Sequence, residues 1–358
     1  MQNGQSLSDE QLQSNVISFL RFPLCVGVVL IHIWIGTNDC PVHPIYDFTR
    51  YLFAQIFARI AVPMFFMFSG FLFFYKKENF SVKTYTNNLR KRATTLFVPY
   101  VFWNFATILY YLIGRYVGYA PQFGIDFTFA DWLRTFWDNT YPEFNGEGIA
   151  SYPICVPMWY IRDLMVTSVM SPLIYWLLKR TNISFVLLLG FLWITNYWPL
   201  ITGINITAIF FFSLGAYIAI YNKNFVKIVK PHTSLLGISY LAFIIPTLIS
   251  QELCWNPLRR MGILIGMAFV ISFVARFIER KKWNVDSFLS DSSFFIYSCH
   301  RILIMAIGEV INISFRSDIV CTISYFLMAV LITSMGFALY SFLRRRAPRF
   351  TALITGGR

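Results

Sequence analysis

The chain has 358 residues, of which 57% are hydrophobic, 19% aromatic and only 13% charged. About a quarter of the residues in an ordinary soluble domain are charged, so this composition excludes a soluble fold and points to the lipid bilayer as its partner. A formal charge of +13 does not make the chain a nucleic-acid binder, because its basic residues sort by side of a membrane rather than along one groove.

The opening residues 1–15 are polar and carry acids rather than a basic leader, so they read as a cytoplasmic segment and not as a cleavable signal. Runs of about 20 apolar residues then recur, each long enough to cross the ~30 Å hydrocarbon core as a helix. They predict ten spans, near 16–36, 51–75, 94–117, 158–178, 183–199, 204–221, 233–251, 260–278, 292–312 and 319–343. The expected fold is all-α: one transmembrane domain over 16–343, with no intervening stretch long enough to bury a core of its own.

The first span holds RFPLCVGVVLIH, opening on Arg21 and closing on His32. Eleven helical residues turn through about 1100°, so the two side chains fall within roughly 20° of one face, some 16 Å apart. Ionisable groups at membrane depth need a polar cavity or a partner. His32 titrates near neutrality and can take a proton from a hydroxyl that attacks a carbonyl. Arg21, nearer the cytoplasm, can hold an anionic donor. In the second span, VPMFFMFSGF places Pro63 to bend the helix and Ser69-Gly70 as a small pair suited to close helix approach. No GxSxG elbow surrounds Ser69 to make it a nucleophile.

The linker 76–92 carries Lys76, Lys77, Lys83, Arg90, Lys91 and Arg92 against Glu78 alone. Lys179-Arg180, Lys223/Lys227/Lys230, Arg276 to Lys282 and the Arg344–Arg349 cluster mark further ends on that side, which is therefore cytoplasmic, with both termini. Arg259 and Arg260 run against this trend. The linker 118–157 is the reverse, with Asp126, Asp131, Asp138, Glu143 and Glu147 against Arg134, and forms the outer loop. Its aromatic and acidic side chains suit carbohydrate, and suit an interfacial belt equally well. Residues 344–358 read as a basic cytoplasmic tail.

Apart from residues at the predicted helix ends, the ionisable residues inside the spans are Arg21, His32, Arg59, Arg162, Asp163, His300, Arg301 and Glu309. Arg162 and Asp163 are adjacent, project about 100° apart, and are expected to reach different neighbours rather than each other. Cys25 and Cys299 fall inside spans as packing residues; Cys40, Cys155 and Cys254 map to the outer side, where a disulfide and free thiols are both open. The histidines His32, His43, His232 and His300 share no metal-ligand spacing, and no metal is expected.

Five motifs in order carry a resemblance. They are Arg21 with His32 ten residues between; VPMFFMFSGF ending in Ser69-Gly70; LRKRATTLFVPY with Arg90, Arg92, Pro99 and Tyr100; VPMWYIRDL with Arg162 and Asp163; and SSFFIYSCHRILI with Tyr297 and His300. Together they make the chain similar to the acyltransferase-3 family of bacterial membrane O-acyltransferases over its whole spanning length. It resembles the stand-alone type, without the extracytoplasmic hydrolase-like domain that many members carry.

The resemblance implies transfer of an acyl group, usually acetyl, from cytoplasmic acyl-CoA to a hydroxyl of a cell-surface or capsular polysaccharide or its lipid-linked precursor, in the bacterial inner membrane. It assigns His32 as general base or acyl relay. Arg21, Arg90 and Arg92 would meet the CoA phosphates, and Arg162, Asp163 and His300 complete the catalytic set, with Arg162 or His300 as an oxyanion donor. The intramembrane charges also suit a secondary transporter of a glycan or organic acid, and a scaffold in polysaccharide export is a third reading.

Overall fold

The computed structural model describes residues 7–35, 43–76, 80–138, 151–249, 257–310 and 317–357. Cys40, Cys254 and the side chain of Glu309 lie outside the described residues. Every regular element among those described is helical. The first, α1 (Asp9–His32), starts at a capping box in which the Ser8 hydroxyl accepts the Gln11 N–H and Gln11 returns the bond to Ser8.

Next come α2 (Pro44–Arg50), a π-helical segment Tyr51–Phe57, a 3₁₀ turn Ala58–Ile60 and α3 (Ala61–Phe74). They are followed by α4 (Val82–Arg92), a second π-helical segment Ala93–Phe97, α5 (Val98–Val117) and the short α6 (Phe129–Arg134) of the outer loop. Ala58–Ile60 lies just ahead of Pro63 and Ala93–Phe97 just ahead of Pro99. Pro63 and Pro99 each lack the N–H that would bond four residues back, and each ring crowds the carbonyl there, on Arg59 and Thr95 respectively.

The second half contains α7 (Trp159–Val169), α8 (Ser171–Thr181), α9 (Ile183–Thr195), α10 (Ile206–Ile220), α11 (Phe225–Val229), α12 (Thr233–Ile249), α13 (Pro257–Glu279), α14 (Ser287–Val310), α15 (Asp318–Arg346) and α16 (Pro348–Thr355). The described parts of the ten predicted spans are largely helical, but not all of them are single crossings. Among the described residues six helices are long and apolar enough to cross a membrane: Asp9–His32, Pro44–Phe74, Val82–Val117, Phe225–Ile249, Pro257–Glu279 and Asp318–Arg346.

The span expected at 158–178 is instead bent by 62° between α7 and α8, and makes a seventh only if the pair counts as one. Pro172 stands in the first turn of α8 and denies α7 its continuation. Those expected at 183–199 and 204–221 are helices of 13 and 15 residues, about 20 Å long at 1.5 Å per residue and too short to cross straight. The ninth, α14, is long enough but carries serines, His300 and Arg301 through its middle.

At the centre α3 crosses α10 at two glycines. A Cβ on Gly70 would overlap the Phe212 carbonyl, and one on Gly215 the Met67 carbonyl, so only glycine permits this approach. On the other flank α1 and α14 run parallel in a fixed register: the Cys25 thiol meets the Ser293 carbonyl at 3.1 Å, and His32 meets His300 two turns on. Ion pairs gather at one end of the bundle, joining Asp9 to Lys227, Glu10 to Lys76, Lys230 to Glu279 and Asp291 to Arg344. Glu10 beside the exposed Lys76 ammonium raises its pKa.

The expected basic tail is α16, an amphipathic helix folded back on α5. Thr351, Ile354 and Thr355 are buried, the Trp103 indole donates to the Ile354 carbonyl at 3.0 Å, and Phe350 meets Phe102 edge-on. Alternation of apolar residues in PRFTALIT gives it a face to bury that its arginines conceal from a charge count.

Candidate active site

A cavity of about 120 Å³ lies where α1, α3, α7 and α14 meet the π-helical segment 93–97; Arg21, Ser69, Arg92, Leu96, Tyr160 and Tyr297 help to line it. Arg21 is half-buried and makes no hydrogen bond or ion pair with any described residue. The carboxylate acting on it, Asp291, is engaged by Arg344 at 3.3 Å. Arg92 donates to the Ser69 carbonyl at 3.3 Å and lies over the Phe73 ring at 5.6 Å. Among the described residues no carboxylate lines this cavity. Two guanidiniums at a site with no protein anion make a site for a ligand anion.

The wide turn before Pro99 delivers Arg92 and Leu96 to the cavity. Arg90, two residues back, is exposed on α4 and does not line it. Ser69 faces the cavity as the small residue beside the helix crossing, and its hydroxyl lies 3.3 Å from that of Tyr160. The phenol of Tyr297 donates to the Pro157 carbonyl, which fixes that side of the wall.

His32 does not border the cavity. It lies farther along α1, and Tyr297 belongs to both places: it lines the cavity while its ring centroid stands 6.0 Å from that of His300. His32 Nδ1 is 2.9 Å from the Val28 carbonyl and 3.3 Å from His300 Nε2, with the two rings 5.0 Å apart and tilted by 58°. His300 Nδ1 donates to the Tyr297 carbonyl. A carbonyl only accepts, so both Nδ1 atoms carry protons, and the lone pair of neutral His32 stands on Nε2. Two of the sequence-selected residues are thus brought together, and the shared face of Arg21 and His32 is divided between a cavity and a histidine pair.

Arg162 and Asp163 border neither. Contrary to the expectation from their 100° divergence, they form a salt bridge, Nε to Oδ1 at 2.9 Å, with both residues buried. Divergence describes Cβ directions, whereas the arginine stem is long enough to fold back. A second guanidinium nitrogen, Nη1, donates to the Trp137 carbonyl at 2.6 Å and the Ser151 carbonyl at 3.1 Å, tying together the two described ends of the 118–157 linker. The loop aromatics Phe123, Phe127 and Trp132 pack on one another and on Tyr111. In the same loop, the Thr128 hydroxyl and backbone N–H hold the Asp131 carboxylate below its usual range. Cys155 is a free thiol, fully buried, with its N–H bound to Asn104 Oδ1 at 3.1 Å.

Tyr160 and Ser293 were not singled out from the sequence. The signal was available for Ser293, one of several serines spaced along a span whose polar face had no other use. Arg59, at the other end of α3, is taken up by Gln55 Oε1, which also accepts from Arg259. Among the described residues no group of His, Cys, Asp and Glu could hold a metal ion.

The family described as "Acyltransferase domain" matches residues 15–345. The chain is similar to the succinoglycan biosynthesis protein ExoH of Rhizobium meliloti (strain 1021), with 24% identity over 367 residues, covering 96% of this chain and 92% of the relative. No solved structure matches it.

Proposed function

Because this chain belongs to the acyltransferase-3 family of multi-pass membrane O-acyltransferases, we propose that it moves an acetyl group from cytoplasmic acetyl-CoA to a hydroxyl of a surface polysaccharide or its lipid-linked precursor. The observation that carries the donor is the cavity of Arg21 and Arg92 without a carboxylate, on the same helix as His32. The phosphates of CoA supply the missing anions, with exposed Arg90 meeting them at the mouth. A glycan acceptor is supported by the relative named for succinoglycan biosynthesis. Placement in the inner membrane with both termini cytoplasmic is supported by the basic ends and their ion pairs at one end of the bundle.

In this reading His32 Nε2 takes the proton of the attacking hydroxyl. The hydroxyl oxygen bonds to the thioester carbonyl carbon, the carbon–sulfur bond breaks, and the proton leaves on the CoA thiol. Arg162 and Asp163 serve by holding the outer loop through which the acceptor approaches.

The test is transfer of labelled acetyl from acetyl-CoA by purified protein in nanodiscs, with glycan-bearing membranes as acceptor. His32→Ala should lower kcat by about 100-fold or more while still binding CoA. Arg21→Gln should raise KM for acetyl-CoA about tenfold, the value of one charge-assisted contact. Undiminished transfer by His32→Ala, or solute uptake into liposomes without CoA, would overturn the proposal.

A further inference from the structure

The histidine pair admits a more specific assignment, which rests on His32 being the base. We propose that His300 is a positioning residue that orients His32 and accepts a hydrogen bond from the Nδ1–H of its imidazolium during transfer, the proton staying on His32.

Three bonds lead to this. The Tyr297 carbonyl occupies His300 Nδ1, so His300 Nε2 is an acceptor and cannot donate to an oxyanion. That acceptor faces His32 Nδ1 at 3.3 Å, where the Nδ1 proton is shared with the Val28 carbonyl at 2.9 Å. Val28 lies one turn back on the same helix and its carbonyl moves with α1, so it cannot set the ring relative to the rest of the protein. His300, fully buried on α14, can.

The parallel register of α1 and α14, held also by Cys25 with Ser293, keeps the two rings opposed. Nε2 of His32 makes no hydrogen bond with a described residue and is left to the acceptor hydroxyl. When that nitrogen takes the hydroxyl proton, the charge spreads to Nδ1–H, and the hydrogen bond to His300 becomes charge-assisted and stronger in the transition state than before it. The charged groups facing the pair are Arg59 and Arg301. Both are cations, so among the described residues no carboxylate plays the part that an aspartate takes in a serine-hydrolase triad.

The experiment compares acceptors placed at position 300. Glutamine can set an oxygen near the place of Nε2, asparagine near that of Nδ1, and leucine offers neither. With acetyl-CoA and glycan-bearing membranes as substrates, His300→Gln should keep kcat within about threefold of the parent. His300→Leu and His300→Asn should lose roughly 10- to 100-fold in kcat with KM for acetyl-CoA unchanged. Adding His300→Leu to His32→Ala should lower the residual rate no further.

Equal loss in the glutamine and asparagine variants, full activity in a folded leucine variant, or a loss confined to KM would overturn the positioning role. If the leucine protein does not fold, the glutamine–asparagine comparison decides alone. A fully active His32→Ala would instead refute His32 as the base, so the two failures are distinguishable.

Discussion

At the scale of single residues, the structure separates charges that hold the protein together from a charge, that of Arg21, which bonds no described residue. Arg162 and Asp163 are the first kind, a buried pair whose spare donors clamp loop carbonyls. Removing one partner of such a pair leaves the other charge uncompensated, at a cost of about 3–5 kcal/mol. Arg162→Met should therefore lower the thermal unfolding midpoint in detergent markedly, and Arg162→Met with Asp163→Leu should recover part of the loss. Arg162→Lys should not rescue, because an ammonium cannot serve Asp163 and two carbonyls in the fork geometry of the guanidinium. A drop in kcat at unchanged midpoint would show instead that the pair acts in the chemistry. Arg21 is the second kind, and its replacement should leave the midpoint nearly unchanged.

At the scale of elements, prolines and glycines decide where side chains arrive. Pro99 fixes the wide turn that carries Arg92 to the cavity. Pro99→Ala restores an N–H for the carbonyl of Thr95 and lets the segment tighten into regular helix. The expected result is a several-fold rise in KM for acetyl-CoA with kcat unchanged, read in the same transfer assay. Gly70 and Gly215 permit the α3–α10 crossing. Either one changed to Ala should destabilise by about 1–3 kcal/mol, the usual cost of overpacking. Gly308 has open space around its missing Cβ, so Gly308→Ala should be neutral or stabilising by up to about 1 kcal/mol. Unfolding midpoints of the three variants check the ordering. The sequence marked Pro63, Pro99 and the Ser69-Gly70 pair, but not Pro172, nor Gly215, whose partner lies in a helix more than a hundred residues away.

At the scale of the whole molecule, the C-terminal helix closes on the segment that follows Arg92 and carries Leu96 to the cavity. Gly356 lies against the backbone of Thr95 in a left-handed conformation, φ 69°, and Ile354 is buried beneath Trp103. Ending the chain after Arg346 should remove this support from the segment bearing Arg92 and Leu96. The truncated protein should bind CoA several-fold more weakly while His32-dependent chemistry persists at saturating donor. Unchanged CoA affinity, measured by calorimetry, would show that the helix is peripheral to the site.

Hydropathy by itself determined the membrane class and the all-helical content, but not how many helices cross, because bilayer thickness sets a length and the bilayer forbids unpaired backbone. The motifs also determined the family and drew attention to Arg21, His32, Arg92 and His300. Only the tertiary structure decided which of these meet. Helix period gives the face on which a residue stands but not the neighbour opposite, so the opposition of His32 to His300 rests on the parallel register of α1 and α14. The same ignorance of neighbours hid the Arg162–Asp163 bridge, the bend at Pro172 and the docking of the basic tail. Arg21 and His32 share one helical face by periodicity; the packing of Tyr297 between the cavity and the histidine pair is what gives them different tasks.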